Sequence, residues 1–267
     1  MNPQKLRCQV QKITDHGDHV YTVDLVPERP LPRFKPGQFL HLTLDDYDPS
    51  SFWPESRVFS IASSPAQRNH LKISYSVKGK YTTRMENELQ EDRMVWVKLP
   101  YGDFVIQDAN NVALLAGGTG ITAFTAFLEN LTAEHQHMAY LVYGVRNREL
   151  LIYRDMIENQ ANLIPRLKTF YFIETQQTPQ TQQTQRTQQT QQTQQTQQTQ
   201  RTPQTQLTQQ TLISEGCLSL EAFWNQLENP QETTYYIAGP PAMIKALTDN
   251  LLNKKILPEM IKVDAWE

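Results

Sequence analysis

The hydrophobic rhythm of this chain changes once, near Asp108, and that change limits the fold more than any other feature. Before it, the apolar residues fall in short segments: Leu6–Ile13, His19–Val26, Gln38–Leu44, Arg57–Ala62, Leu71–Val77 and Met94–Leu99. These are rich in Val, Ile, Leu, Tyr and Phe, often alternate, and are separated by turn formers such as His16-Gly17-Asp18 and Lys35-Pro36-Gly37. Short alternating strands with regular turns predict a closed or nearly closed six-stranded antiparallel barrel. One helical stretch, Thr82–Gln90, interrupts it. After Asp108 fully apolar strands alternate with helices. Val112–Ala116, Met138–Val145, Lys168–Ile173, Thr234–Ala238 and Ile261–Ala265 read as strands, and Ile121–Leu131, Leu150–Gln160, Leu220–Glu228 and Pro241–Lys254 as helices. That alternation predicts a parallel sheet covered by helices on both faces. The expected domains are therefore residues 1–108 and 109–267.

A run from Thr175 to Thr211 is almost wholly Thr and Gln. Leu207 is its one aliphatic apolar residue, far too little burial to offset the entropy of ordering, so residues 175–211 read as a disordered surface insertion. The net charge of −3 offers no basic surplus for nucleic acid. Two cysteines, Cys8 and Cys217, cannot supply the four ligands of an iron–sulfur cluster, and no metal ligands are nominated elsewhere. The opening residues have no apolar signal core, and no apolar run has transmembrane length. A cytoplasmic protein without a membrane span is expected.

Three motifs carry chemistry. In Leu114-Leu115-Ala116-Gly117-Gly118-Thr119-Gly120-Ile121-Thr122 a buried strand runs through glycines into a helix. Such a turn lets a phosphate approach the backbone N–H groups, although a plain packing turn has the same appearance. The run is neither the dinucleotide fingerprint GxGxxG nor a Walker loop. Ala238-Gly239-Pro240-Pro241 likewise ends a strand and opens a helix, at the sheet edge where ligands bind in open α/β folds. In Arg57-Val58-Phe59-Ser60 the alternation puts Arg57 and Phe59 on one face and Val58 and Ser60 on the other. A cation beside an aromatic ring suits a phosphate and a flat ring system, and an exposed Arg on a plain strand reads the same way.

In this order, the motifs resemble those of the ferredoxin–NADP reductase superfamily. Arg57-Val58-Phe59-Ser60 is similar to its flavin motif Arg-x-Tyr-Ser/Thr, with Lys35-Pro36-Gly37-Gln38-Phe39 upstream. Gly79-Lys80-Tyr81-Thr82-Thr83 resembles its Gly-x-x-Ser/Thr helix start, and the two glycine turns resemble its nicotinamide-domain motifs. The resemblance implies a flavin-binding barrel followed by a nucleotide-binding α/β domain, using FAD and NADH or NADPH. By resemblance, Arg57 pairs with the flavin pyrophosphate, Phe59 lies against the isoalloxazine, and Ser60 sits by flavin N5 as a catalytic residue. Thr82 and Thr83 cap their helix and hold phosphate. Gly117, Gly118, Thr119, Gly120 and Thr122 hold the dinucleotide pyrophosphate, and Gly239 and Pro240 bracket the nicotinamide. Trp266, near the C-terminus, is the second implied catalytic residue, stacking near the flavin.

The chain departs from the family pattern in places. Phe59 stands where the family has Tyr, which removes one hydroxyl hydrogen bond of about 1 kcal/mol. Ala238 replaces a frequent Cys and Ala123 a frequent Pro. After the second parallel strand, Arg146 and Arg148 suit a 2′-phosphate, whereas Glu149 suits a free 2′-hydroxyl, so NADH and NADPH both remain open. His16, His41 and Asp15 are not nominated as catalytic, because in this chemistry the cofactor does the work and the protein aligns the rings. The implied activity passes a hydride from NAD(P)H to flavin N5 and electrons on to an external redox protein, such as a ferredoxin or a heme protein. Two alternatives stand beside it: a reductase of free flavin, quinone or a metal chelate, and a flavin- or nucleotide-binding regulatory module without turnover.

Overall fold

The structure is a computed structural model that describes residues 3–107, 109–174 and 211–264. The first half forms an antiparallel sheet of β1 (Gln4–Asp15), β2 (Val20–Pro27), β3 (Phe39–Thr43), β4 (Arg57–Ser60), β5 (Leu71–Ser76) and β6 (Met94–Tyr101). The strand order is β4-β3-β6-β1-β2-β5. The two ends of this order meet just beyond β4, where the Ala62 N–H donates to the Lys72 carbonyl at 2.8 Å. The sheet therefore curls into the near-closed barrel that the alternation predicts. Inward-facing Leu6, Cys8, Val23, Leu25, Leu40, Leu42, Ile73 and Val97 fill it. Helix α1 (Lys80–Glu88) is pinned to β3 by the buried Tyr81, whose hydroxyl donates to Leu42 O and accepts from Leu44 N–H.

The second half is a parallel sheet of β7 (Val112–Gly117), β8 (Ala139–Val145), β9 (Leu167–Ile173), β10 (Thr211–Glu215), β11 (Thr234–Ala238) and β12 (Ile261–Asp264). Its order is β10-β9-β8-β7-β11-β12. Alternate residues of the same strands serve two cores. Leu114, Ala116, Leu141 and Tyr143 pack with α2 (Thr122–Leu128) and α3 (Arg154–Leu163). Ala113, Leu115, Tyr140 and Val142 pack with α4 (Leu220–Trp224) and α5 (Pro241–Asn253). Burial on both faces is why these strands read as continuous apolar runs.

Some elements differ from the sequence expectations. β10 is a strand that the Thr/Gln composition hides: Thr211 opens it, and the rest of the run, residues 175–210, lies outside the described residues. The helix expected over Ile121–Leu131 starts with a 3₁₀ turn at Gly118–Ile121 and ends at Leu128. There the Asn130 side-chain amide donates to Ala126 O at 2.6 Å and terminates the helix by taking one of its free carbonyls. α4 likewise stops at Trp224, short of Glu228. Among the described residues no helix is long and apolar enough to cross a membrane.

The two sheets share a polar seam. The buried Thr125 hydroxyl on α2 donates to Ala62 O at 2.8 Å. Ser64 donates its N–H to Glu129 at 3.0 Å and its hydroxyl to Asn130 at 2.9 Å. Farther along, a chain of hydroxyls runs from Thr22 to Ser74 at 2.7 Å and from Ser74 to Tyr153 at 2.6 Å.

Candidate functional site

The two glycine turns of the parallel sheet form one unit. β7 and β11 are hydrogen-bonded neighbours with Ala116 opposite Ala238, so both strands deliver their glycines to the same edge. The turns then press together. A Cβ on Gly120 would stand 2.3 Å from Ala238 O, and one on Gly239 would stand 3.0 Å from Gly117 Cα. Gly239 also has φ +154, a conformation that L side chains rarely adopt. Backbone thus lies against backbone, which leaves the Gly118-Thr119-Gly120 turn half-buried at the C-terminal edge of the sheet. Thr122 is buried and its hydroxyl donates to Thr119 O at 2.8 Å, which locks the turn's shape. Pro240 is exposed and opens α5, with its carbonyl accepting from Ile244 N–H.

The barrel strand β4 reaches the same region through the seam. Two residues past Ser60 lies Ala62, held by Thr125 of the helix that follows the first glycine turn. The Gly118–Ile121 turn also lies against β5. Arg57 opens β4, is exposed, and makes no ion pair among the described residues. Ser60 is half-buried opposite Phe39. Phe59 stands opposite Leu40 and is only 8% exposed. Its ring belongs to the barrel core, tilted against Tyr75 at 6.1 Å, so a flavin contact is left to its remaining exposed edge.

At α1 the Thr82 hydroxyl accepts from the Lys78 and Gly79 N–H groups at 2.9 and 3.1 Å and donates to Gly79 O. Thr82 therefore caps the helix and, in doing so, occupies the Lys78 and Gly79 amides. Thr83 is exposed. Beyond β8, Arg146 is exposed and Arg148 and Glu149 lie in a short 3₁₀ turn at Arg148–Leu150, also exposed. Trp266 lies outside the described residues.

The charged groups near these turns sit at the seam and have structural partners. Burial opposes ionisation of Asp24, but the 2.8 Å bond from His70 and the charge of Lys72 outweigh it and hold the carboxyl below its usual range. Burial pushes the Glu129 carboxyl up despite the Ser64 N–H bond and Lys72. His16 bonds Thr22 at 2.9 Å, Asp15 accepts from Gly17 N–H, and His41 packs edge-on to Tyr101. Cys8 is buried and its thiol is pushed up to about 12 by desolvation, whereas Cys217 is exposed. Thr125, Ser64 and Asn130, which fasten the barrel to α2 and its C-terminal end, carry no motif signature in the sequence.

The arrangement suits phosphate and a dinucleotide. A Cβ on Gly117, Gly120 or Gly239 would strike the facing turn, whereas one on Gly118 would meet nothing within 4 Å, so the backbone itself forms the surface of the turn. Arg57 supplies a guanidinium unpaired among the described residues, on the strand that runs on to Ala62 at the seam. A family model described as the oxidoreductase NAD-binding domain matches residues 114–249. The NAD(P)H-flavin reductase of Vibrio harveyi is 29% identical over 164 residues, covering 57% of this chain and 66% of its own length. The reductase component of propane 2-monooxygenase from Mycolicibacterium smegmatis is 27% identical over 178 residues, covering 64% of this chain and 48% of its own length. The cytochrome P450 reductase of Amycolatopsis has a solved structure that superposes with a TM-score of 0.74 at 19% identity, covering 98% of this chain and 70% of that one. Among the first curated relatives the chain thus spans from 35% to 66% of their lengths.

Proposed function

The chain belongs to the oxidoreductase NAD-binding domain family, within the ferredoxin–NADP reductase superfamily, and on that premise we propose that it is an NAD(P)H-dependent flavoprotein reductase. The observation that carries this reading is the fused pair of glycine turns, fastened through Thr125 and Ala62 to the end of the barrel strand that bears Arg57 and Ser60. FAD, when bound, supplies the exchange between the two-electron chemistry of nicotinamide and onward transfer in one or two electrons. The protein's own contribution is alignment. Arg57 would hold the flavin pyrophosphate, for which a guanidinium is well matched. Ser60 would offer its hydroxyl at the flavin ring. The Gly117–Thr122 turn would hold the dinucleotide pyrophosphate through backbone N–H groups, with Gly239 and Pro240 bounding the nicotinamide. Trp266 would stack near the flavin, and Thr82 would act by shaping the start of α1. Residues 1–108 would form the flavin half and 109–267 the nicotinamide half.

Electrons would pass to an external redox protein, such as a ferredoxin or a heme protein, in the cytoplasm. The flavin reductase among the relatives favours a second reading, in which free flavin is the acceptor. Anaerobic addition of NADH or NADPH to the FAD-loaded chain should bleach the flavin absorbance. A chain that takes up no FAD, or whose bound flavin stays oxidised with both nucleotides, would overturn the proposal. Adding free FMN, then a ferredoxin, to the reduced protein separates the two acceptor readings.

A further inference from the structure

The first hairpin of the barrel reaches across to the nicotinamide half. Its turn is tightly prescribed. The Asp15 carboxylate accepts from Gly17 N–H at 2.8 Å, Val20 N–H donates to Gly17 O, and His16 N–H donates to Val20 O. Asp18 and His19 both have left-handed backbone, at φ +50 and +57. Two consecutive non-glycine residues there are costly, and such strain persists where contacts elsewhere hold it. One such contact is His19 on Glu86 of α1, at 2.7 Å. The other points away from the barrel. The Asp18 carboxylate lies 3.8 Å from the Arg146 guanidinium and accepts from the Asn147 side-chain amide at 3.1 Å.

Asn147 cannot turn away from this contact without loss. Its side-chain oxygen already accepts from Leu150 N–H at 3.1 Å, so its NH2 group is directed to Asp18. Arg146 follows β8, two residues beyond Gly144, which is paired with Gly117 of the first glycine turn. It is thus one strand along the same ligand-binding edge of the sheet. The loop carries two cations, Arg146 and Arg148, and its own anion Glu149. Asp18 adds a second anion from outside, in contact with Arg146.

We infer that Asp18 is a specificity-determining residue for the dinucleotide: by occupying Arg146 it disfavours the extra 2′-phosphate and sets a preference for NADH over NADPH. This rests on the proposed dinucleotide site and adds to it a residue from the flavin half. A 2′-phosphate brings about two negative charges, which must either displace the carboxylate from Arg146 or lie beside it. A free 2′-hydroxyl meets no such repulsion. The pair is solvent-exposed, so its effect is of surface-pair size and is screened by salt.

The test is calorimetric titration of the full FAD-loaded chain with NAD+ and NADP+, on wild type, Asp18→Asn and Asp18→Asn/Arg146→Ala. Asn tolerates the left-handed turn and still offers an acceptor to Asn147, so the hairpin is kept. Wild type should bind NAD+ more tightly. Asp18→Asn should tighten NADP+ by about fivefold relative to NAD+, and adding Arg146→Ala should remove that gain. The gain should shrink as salt is raised. If NAD+ binds and the NADP+ to NAD+ ratio does not move in Asp18→Asn, the inference falls and the dinucleotide site stands. If neither nucleotide binds any of the three proteins, the site and the inference fall together.

Discussion

The two sheets build their candidate ligand surfaces by opposite means. In the parallel sheet the candidate surface is backbone: the Gly117–Gly120 and Ala238–Pro240 turns touch where no Cβ fits, and the chain path alone makes the shape. In the barrel it is side chains: Arg57 and Ser60 project from β4, whose backbone is ordinary extended strand. Mutational cost should therefore divide cleanly. Changes in the parallel half should damage fold and binding together, and changes in the barrel should damage binding alone.

The most severe test of that division is Gly120→Val. Its Cβ would meet Ala238 O at 2.3 Å, a backbone atom that cannot swing aside. Destabilisation of about 3 kcal/mol is expected in urea unfolding. A loss under about 0.5 kcal/mol would show that the turns can separate. On the barrel side, Arg57→Ala should weaken FAD binding by about 2 kcal/mol, roughly thirtyfold, in fluorescence titration. The flavin-free protein should unfold within about 0.5 kcal/mol of wild type, because Arg57 is exposed and without an ion pair among the described residues.

Between these extremes lies the seam. Thr125→Val keeps the shape but removes the bonds from the hydroxyl to Ala62 O and Thr122 O, at 2.8 and 3.1 Å. It should cost about 1 to 1.5 kcal/mol and loosen the two halves relative to each other. Amide exchange at the ends of β4 and β7, rising together, would report that loosening.

The smallest effects are in pH dependence, and their signs oppose. Asp24 has a depressed folded value, so its contribution is present above its unfolded pKa of about 4 and is lost as pH falls below that. Glu129 has a raised folded value, so its contribution is full below its unfolded value of about 4.3 and is lost as pH rises through the folded one. Asp24→Asn should flatten the acid limb of a urea-midpoint profile, and Glu129→Gln the limb just above it. If both variants change the same limb, the two carboxylates titrate as one unit.

What could be read from the sequence follows the same division. Val112–Gly117 is apolar at every position because helices cover both of its faces, so strand and turn were legible together. The barrel strands were legible from alternation, as in β2, where inward Val23 and Leu25 flank the half-buried Asp24. β10 was not: it is a sheet edge, its Leu212 and Ile213 are exposed, and its first residue continues the Thr/Gln pattern. The burial of Phe59 was not legible either. Alternation gives the face a residue occupies, but not how far the neighbouring core closes over it. The contacts of Asp18 and Thr125 join residues more than 60 positions apart, and nothing local in the sequence marks them.

The placement of α2 has a consequence for recombination between relatives. Its first residue completes the first glycine turn, and Thr125 within it and Glu129 just past its end hold Ala62 and Ser64 of the other half. A crossover in the connection before Val112 would divide the chain between its sheets yet separate α2 from the partner it was shaped for. Exchangeable units should instead be cut so that the 62–64 segment travels with α2. Chimeras that observe this should express as folded protein more often than those joined at the visible boundary.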